Sequence, residues 1–270
     1  MALGPATFLI ERVADEMAER LSAVVREFGA AADVGTPTDT VRSAIVATGK
    51  VKDVAAIDIG DQEILPLKEE SLDLVVSALA LQFVNDLPGT LVQIRRALKP
   101  DGLLMAAMLG GDTLTELRQS FAQAESEIDG GLSPRVAPFA DVRNMGTLLQ
   151  RAGFALPVID SDRLTVRYAD PLALMRDLRC MGATNVMRER RRAPLRRATL
   201  RRMTEIYAER FADADRRVRA TFEVIWLSGW APHASQQQPL KPGSAKHRLA
   251  DALNAKEMLA GEKTGPRRDS

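Results

Sequence analysis

The chain has 270 residues, 46% of them hydrophobic, enough to bury a sizeable core as one large domain or one domain with an insertion. Its 37 basic residues nearly cancel 36 acidic ones, for a net charge of +1, so no global field selects nucleic acid or a membrane surface. The single cysteine, Cys180, excludes an intrachain disulfide and favours a reducing compartment, and no run is long and apolar enough to span a bilayer.

Met1 to Leu9 lacks a charged segment followed by an apolar one, so no secretion signal is expected and a cytoplasmic location follows. Phe8 to Phe28 reads as an amphipathic helix, with Leu9, Val13, Met17, Leu21 and Val25 on one stripe. Phe28 to Val34 is the candidate first strand. Thr36-Pro37-Thr38-Asp39 then reads either as a helix start, with Thr36 as cap and Pro37 at the first position, or as a ligand-binding turn built on Gly35. Val54 to Ile59 is the one good strand candidate before Leu72.

The stretch from Leu65 to Leu117 is the most informative. Leu72 to Leu79 and Gly102 to Met108 are nearly unbroken apolar runs, as expected of strands covered on both faces. Between them Asn85 and Asp86 supply N-cap candidates, Pro88 fits the first helical turn, and Leu91, Ile94, Ala97 and Leu98 share a face. Lys99-Pro100-Asp101-Gly102 stops the helix and turns the chain. Two parallel strands joined by a helix form a right-handed unit, and open parallel sheets bind ligands outside the carboxyl ends of their strands. The functional loops are therefore expected after Ser77 and Leu109.

Further on, helices are expected over Thr113 to Ile128 and Asp141 to Ala152. A strand region from Gly153-Phe154 through Tyr168 and a second strand over Arg219 to Trp226 form an antiparallel pair. Trp226 and Trp230 then pack against the sheet. A helical insertion falls between, at about 171–211, and it is basic: Arg163 to Arg219 holds 16 arginines against 7 acidic residues, densest at Arg188 to Arg192. Such a run suits an acidic or phosphorylated partner as well as a plain solvated surface. Its scarcity of aromatic residues counts against single-stranded nucleic acid. His233 and His247 share no ligand spacing with Cys180, so no metal site is expected. Beyond Gln236 the chain turns polar, and Glu262 to Ser270 reads as a disordered tail.

Asp61 to Leu117 resembles the fourth and fifth strand region of class I S-adenosylmethionine-dependent methyltransferases, in which a D-L-V-x-S strand leads to a helix, a K-P-x-G turn and another strand. Longer phrases are similar to one branch, that of the complex I assembly factor acting as a protein arginine hydroxylase and of the malonyl carrier-protein O-methyltransferase of biotin synthesis. They are FVNDLP at Phe83 to Pro88, GGDTLTELR at Gly110 to Arg118, SPRVAPFADVR at Ser133 to Arg143, LLQRAGF at Leu148 to Phe154 and GWAPHASQQ at Gly229 to Gln237. The resemblance runs from Asp61 to about Leu253. It implies an α/β, Rossmann-like, mostly parallel sheet with an antiparallel edge pair, its first part shortened. The implied organisation is an N-terminal helix over 1–29, the methyltransferase-like domain over 30–235, and a tail over 236–270.

It also implies S-adenosylmethionine as cofactor. Contacts are expected at Asp33, Gly35, Asp61 and Ala78, and acceptor contacts at Gln82, Asn85 and Gly110. Of the family's glycine cluster Gly35 alone is kept. The segment from Gly35 to Leu72 is too short for two strands and two helices. Val54 to Ile59 is then either the second strand, with Asp58 as the ribose carboxylate, or the third, which the family phrase D-x-E-x-L-P at Asp61 to Pro66 favours. Relatives commonly carry a His-Trp pair at Gln82-Phe83, and no catalytic base is identified. The expected activity is methyl transfer to a small molecule, an acyl carrier protein or a respiratory-complex subunit. The competing expectation is an assembly factor, either non-catalytic or a hydroxylase requiring an oxidant.

Overall fold

The computed structural model describes residues 6–237. α1 (Phe8–Ser22) ends before Phe28, and Val25 is fully exposed, so the apolar stripe extends past the helix. β1 (Ala31–Val34) is shorter than its apolar run because the Asp73 carboxylate takes the Ala30 N–H at 2.9 Å, leaving Phe28 in an isolated bridge to Val51. α2 (Thr40–Ala47) starts after Asp39, later than the expected cap at Thr36. The Thr36 hydroxyl is already engaged, donating to Asp33 and accepting from the Ala78 N–H at 3.0 Å, so it cannot cap a helix.

β2 (Val54–Ile57) pairs in parallel with β1, Ala31 opposite Val54 through Val34 opposite Ile57. β3 (Leu72–Ala78) lies on the other side of β1, followed by a short 3-10 turn (Leu81–Phe83), α3 (Leu87–Ala97) and β4 (Leu98–Leu109). Being directly beside β1, β2 takes the second-strand place of a 3-2-1-4-5-6 sheet. That overturns its assignment as third strand. Asp86 caps α3, its carboxylate accepting from the Gly89 N–H at 2.9 Å, with Pro88 in the first turn. The K-P-D-G turn is absorbed into β4, where Asp101 adopts φ +63° and Gly102 and Asp101 exchange backbone bonds with Ala231.

α4 (Thr115–Ile128) and α5 (Val142–Arg151) lead to β5 (Ala155–Tyr168), which pairs antiparallel with β6 (Val218–Trp230). β6 in turn pairs antiparallel with β4, and the sheet order is β2-β1-β3-β4-β6-β5. α6 (Pro171–Cys180) and α7 (Arg197–Phe211) form the inserted helices.

Alternate side chains feed two cores, one on each face of the sheet. Leu74, Val76, Met105, Ala107, Val224 and Trp226 meet α1, α2, α4, α6 and α7, whereas Val75, Leu104, Ala106, Ile225 and Leu227 meet α3 and α5. The first helix is thus part of the main core: Met17 and Leu21 are fully buried. No described helix is long and apolar enough to cross a membrane. His247 and the tail beyond Gln237 lie outside the described residues.

Candidate functional site

The crevice at the carboxyl ends of β1, β2 and β3 is where a parallel sheet of this order offers a ligand its polar backbone ends. Asp33, the penultimate residue of β1, is 1% exposed. Burial pushes its carboxyl up from the usual range, against the opposing pull of the Thr36 hydroxyl and the Arg42 guanidinium at 3.0 Å. Asp33 is therefore tied into the start of α2. Gly35 follows at φ +74°, a conformation that favours glycine, and its N–H donates to the Ile57 carbonyl at 2.8 Å. Ala78, fully buried at the end of β3, gives its N–H to Thr36. Asp33, Gly35 and Ala78 are thus brought together through Thr36.

Asp58 and Asp61 lie in the irregular segment leaving β2, both exposed, with no hydrogen bond or ion pair among the described residues. Between them Ile59 turns inward. A Cβ on Gly35 would lie 2.6 Å from Ile59 Cδ1 and 3.1 Å from Ala80 Cβ, so the ground over the turn is held by this chain's own side chains.

The acceptor side is built differently. Gln82, on the 3-10 turn, donates its amide to the Leu79 carbonyl at 2.8 Å, and its Oε1 is buried without a partner. Glu63 holds the next stretch: its carboxylate accepts from the Asn85 N–H at 2.6 Å, the Asn85 amide at 2.8 Å and the Asp86 N–H at 2.8 Å. The Asn85 and Asp86 N–H groups keep the Glu63 carboxyl below the usual range. Asn85, expected to face an acceptor, is thus pinned by Glu63. Gly110, just past the end of β4, stands against the buried Glu223, whose carboxylate would sit 2.5 Å from a Cβ there and accepts from the Asp112 N–H at 2.9 Å.

Sequence reasoning missed Arg42, Ile59 and Glu223 as parts of this region, and it placed Glu63, the third residue of the D-x-E-x-L-P phrase, toward the ligand and not, as found, on the Asn85 and Asp86 amides. Among the described residues no cluster could hold a metal ion.

The residues present carry groups that S-adenosylmethionine would use: two exposed carboxylates without a partner among the described residues, a glycine turn at positive φ, and an unpartnered buried amide oxygen. Close approach to this turn requires the Ile59 side chain to move, while Ala80 Cβ, 3.1 Å from where a Cβ on Gly35 would lie, stays as a fixed border.

Residues 23–106, which hold β1, β2 and β3 and the loops after them, match the family described as Methyltransferase domain. The mitochondrial arginine-hydroxylase NDUFAF5 of Danio rerio is 39% identical over 263 residues, covering 90% of this chain and 81% of that protein. The malonyl-[acyl-carrier protein] O-methyltransferase of Laribacter hongkongensis is 43% identical over 188 residues, 70% of this chain and 61% of that one. Among solved structures, a candidate methyltransferase of Bacillus halodurans superposes with a TM-score of 0.52 at 18% identity, over 81% of this chain and 98% of that chain, a likeness of fold. The chain belongs to the class I S-adenosylmethionine-dependent methyltransferase-like family, in the branch that holds the NDUFAF5 arginine-hydroxylases and the malonyl-carrier-protein O-methyltransferases.

Proposed function

We propose that the chain binds S-adenosylmethionine in the crevice between β1, β2 and β3 and transfers its methyl group to an acceptor carried by an acidic partner protein. The observation that carries this reading is the coincidence of the Methyltransferase domain match with the crevice that holds Gly35, Asp58, Asp61 and Ala78. The bound cofactor supplies an already activated methyl group on a sulfonium. The chain has to position and desolvate. Asp58 and Asp61 hold the sugar and base end, the Gly35 turn lets the ligand approach the backbone, and Ala78 forms the floor. Gln82, Asn85 and Gly110 border the acceptor side, and Glu63 holds that border in shape. In this reading Asp33 acts indirectly, fixing Thr36 and Arg42 at the turn.

A protein-borne acceptor is supported by the loop between α6 and α7. Arg188 and Arg192 are exposed there without a partner among the described residues, beside Val186, 66% exposed, and Leu132, 73% exposed. The loop is anchored by Asn185 on the Pro134 carbonyl at 2.8 Å and by Arg191 and Arg196 on Asp129. An arginine-flanked apolar surface suits an acidic protein such as an acyl carrier protein or a subunit of a respiratory complex.

The test is calorimetric titration with S-adenosylmethionine, wild type against Asp58→Ala. The expected result is micromolar binding, weakened about tenfold by the variant, a loss of about 1.4 kcal/mol. A second reading, a hydroxylase-type or non-catalytic assembly factor, is favoured by the four-fifths coverage of the arginine-hydroxylase relative. Absence of binding at millimolar ligand would put that reading first.

A further inference from the structure

We infer that the cavity between α1 and the β5–β6 pair is a second ligand site, one that takes an aliphatic polyamine, and that it works independently of the crevice at β1, β2 and β3. α1 lies along the two antiparallel strands, with Phe8 edge-on to Phe222 at one end and Arg20 bonded to Asp160 at the other. Between those contacts helix and strands leave a cavity of about 400 Å³. Asp162 stands opposite Val224 and Val224 opposite Leu109, so the cavity lies on the far side of β4 from β3. Its floor is apolar, formed by Leu9, Val13, Leu164 and Val224.

The walls are acidic and short of cations. Arg20 is shared among Glu16 at 2.8 Å, Asp160 at 3.0 Å and Asp162 at 3.4 Å, and its guanidinium lies over the Trp226 ring. Arg12 comes no nearer to Glu16 than 3.9 Å, beyond hydrogen-bond length, and Arg163 is held by Asp112. Burial, with Asp162 beside it, pushes the Glu16 carboxyl up against the pull of Arg20. Asp15 and Glu19 add two exposed carboxylates to the lining, neither with an ion pair among the described residues. A metal ion would leave the apolar floor unused, and a neutral chain would leave the carboxylates unrelieved. Glu16 and Asp15 each stand about one helical turn, ~5.4 Å, from Glu19. The ammonium groups of a polyamine recur at a similar interval, so its methylenes can lie on the floor while its charges meet successive carboxylates.

The experiment titrates spermidine into the full chain and follows the Trp226 indole N–H resonance, assigned by its loss in Trp226→Phe. That N–H donates to Asp162 at 3.0 Å and so reports on the acidic wall. The expected result is saturable binding, weakened about tenfold in Glu16→Gln and about threefold in Glu19→Gln, the more exposed carboxylate. Asp58→Ala, in the other crevice, should bind as wild type does, and thermal melts confirm that each variant is folded. A resonance unmoved at about 10 mM spermidine would overturn the site. So would an equal response to hexanediol, a neutral methylene chain, or to sodium chloride at matched ionic strength. Affinity unchanged in folded Glu16→Gln, or lost in Asp58→Ala, would overturn it as well.

Discussion

The two ends of the parallel sheet are built to different standards. β3 and β4 run 7 and 12 residues, and every residue from Leu103 to Leu109 is buried. β1 and β2 run 4 residues each, and β2 buries Val54 alone while exposing Ala55 and Ala56. The first pair is held by two cores and a capped crossover helix. The second forms the edge of the sheet, with β2 bordered by a segment without regular structure. A crevice drawn from both has one rigid wall and one adjustable wall, and the proposed contacts divide accordingly: Ala78 for the cofactor and Gln82 for the acceptor on the rigid side, Asp58 and Asp61 for the cofactor on the adjustable one.

Stability variants should break this comparison most sharply. Leu104→Ala or Ile225→Ala, both fully buried, should cost about 2–5 kcal/mol in denaturant unfolding. Ile57→Ala, on the half-buried edge strand, should cost less than either. Equal losses at the two ends would refute the difference in rigidity. Gly35→Ala comes next, at about 1–2 kcal/mol, because the residue has φ +74° and its new Cβ would displace Ile59. The same variant should abolish S-adenosylhomocysteine binding by calorimetry.

A smaller effect concerns Glu63. Its folded carboxyl lies below the usual range, so its grip on the Asn85 and Asp86 amides is fully present above the ordinary carboxylate value of about 4.3. That grip is lost as pH falls through the depressed value. Hydrogen exchange followed by NMR should show the two amides losing protection there relative to α3. Glu63→Gln should show that loss already at neutral pH. Protection insensitive to both changes would mean that the loop is held by something else. The smallest change expected is in Asp58→Ala, whose melting temperature should match wild type because the carboxylate is exposed and makes no bond among the described residues.

The rigid wall was legible in the sequence and the adjustable one was not. The runs around Val75 and Leu104 announce buried parallel strands by composition, and Asp86 with Pro88 marks the start of α3 within one turn. These are local signals. The pairing of β2 with β1 is a choice between sheet positions that the D-x-E-x-L-P phrase pointed away from, because a phrase records ancestry and not which neighbour remains once a strand-helix unit is absent. Thr36 illustrates the same point. Its spacing to Pro37 reads as a cap, yet its hydroxyl bridges Asp33 and the Ala78 N–H, partners up to 42 residues away. Arg42 and Ile59 matter only through such long-range contacts, and no spacing announces them; Glu63 stands in a family phrase, but its partners at Asn85 and Asp86 are not readable from it. Gly110, expected as an acceptor contact, leaves no room for a Cβ because of the buried Glu223, which comes from the far end of the chain.

The central claim is that the crevice between β1, β2 and β3 holds S-adenosylmethionine, and hydrogen-exchange mass spectrometry with and without saturating S-adenosylhomocysteine tests it most directly. The account predicts slowed exchange in peptides covering residues 33–38, 57–64 and 78–85, with α6 and α7 unchanged. Protection confined to other segments, or none at saturating ligand, would contradict it.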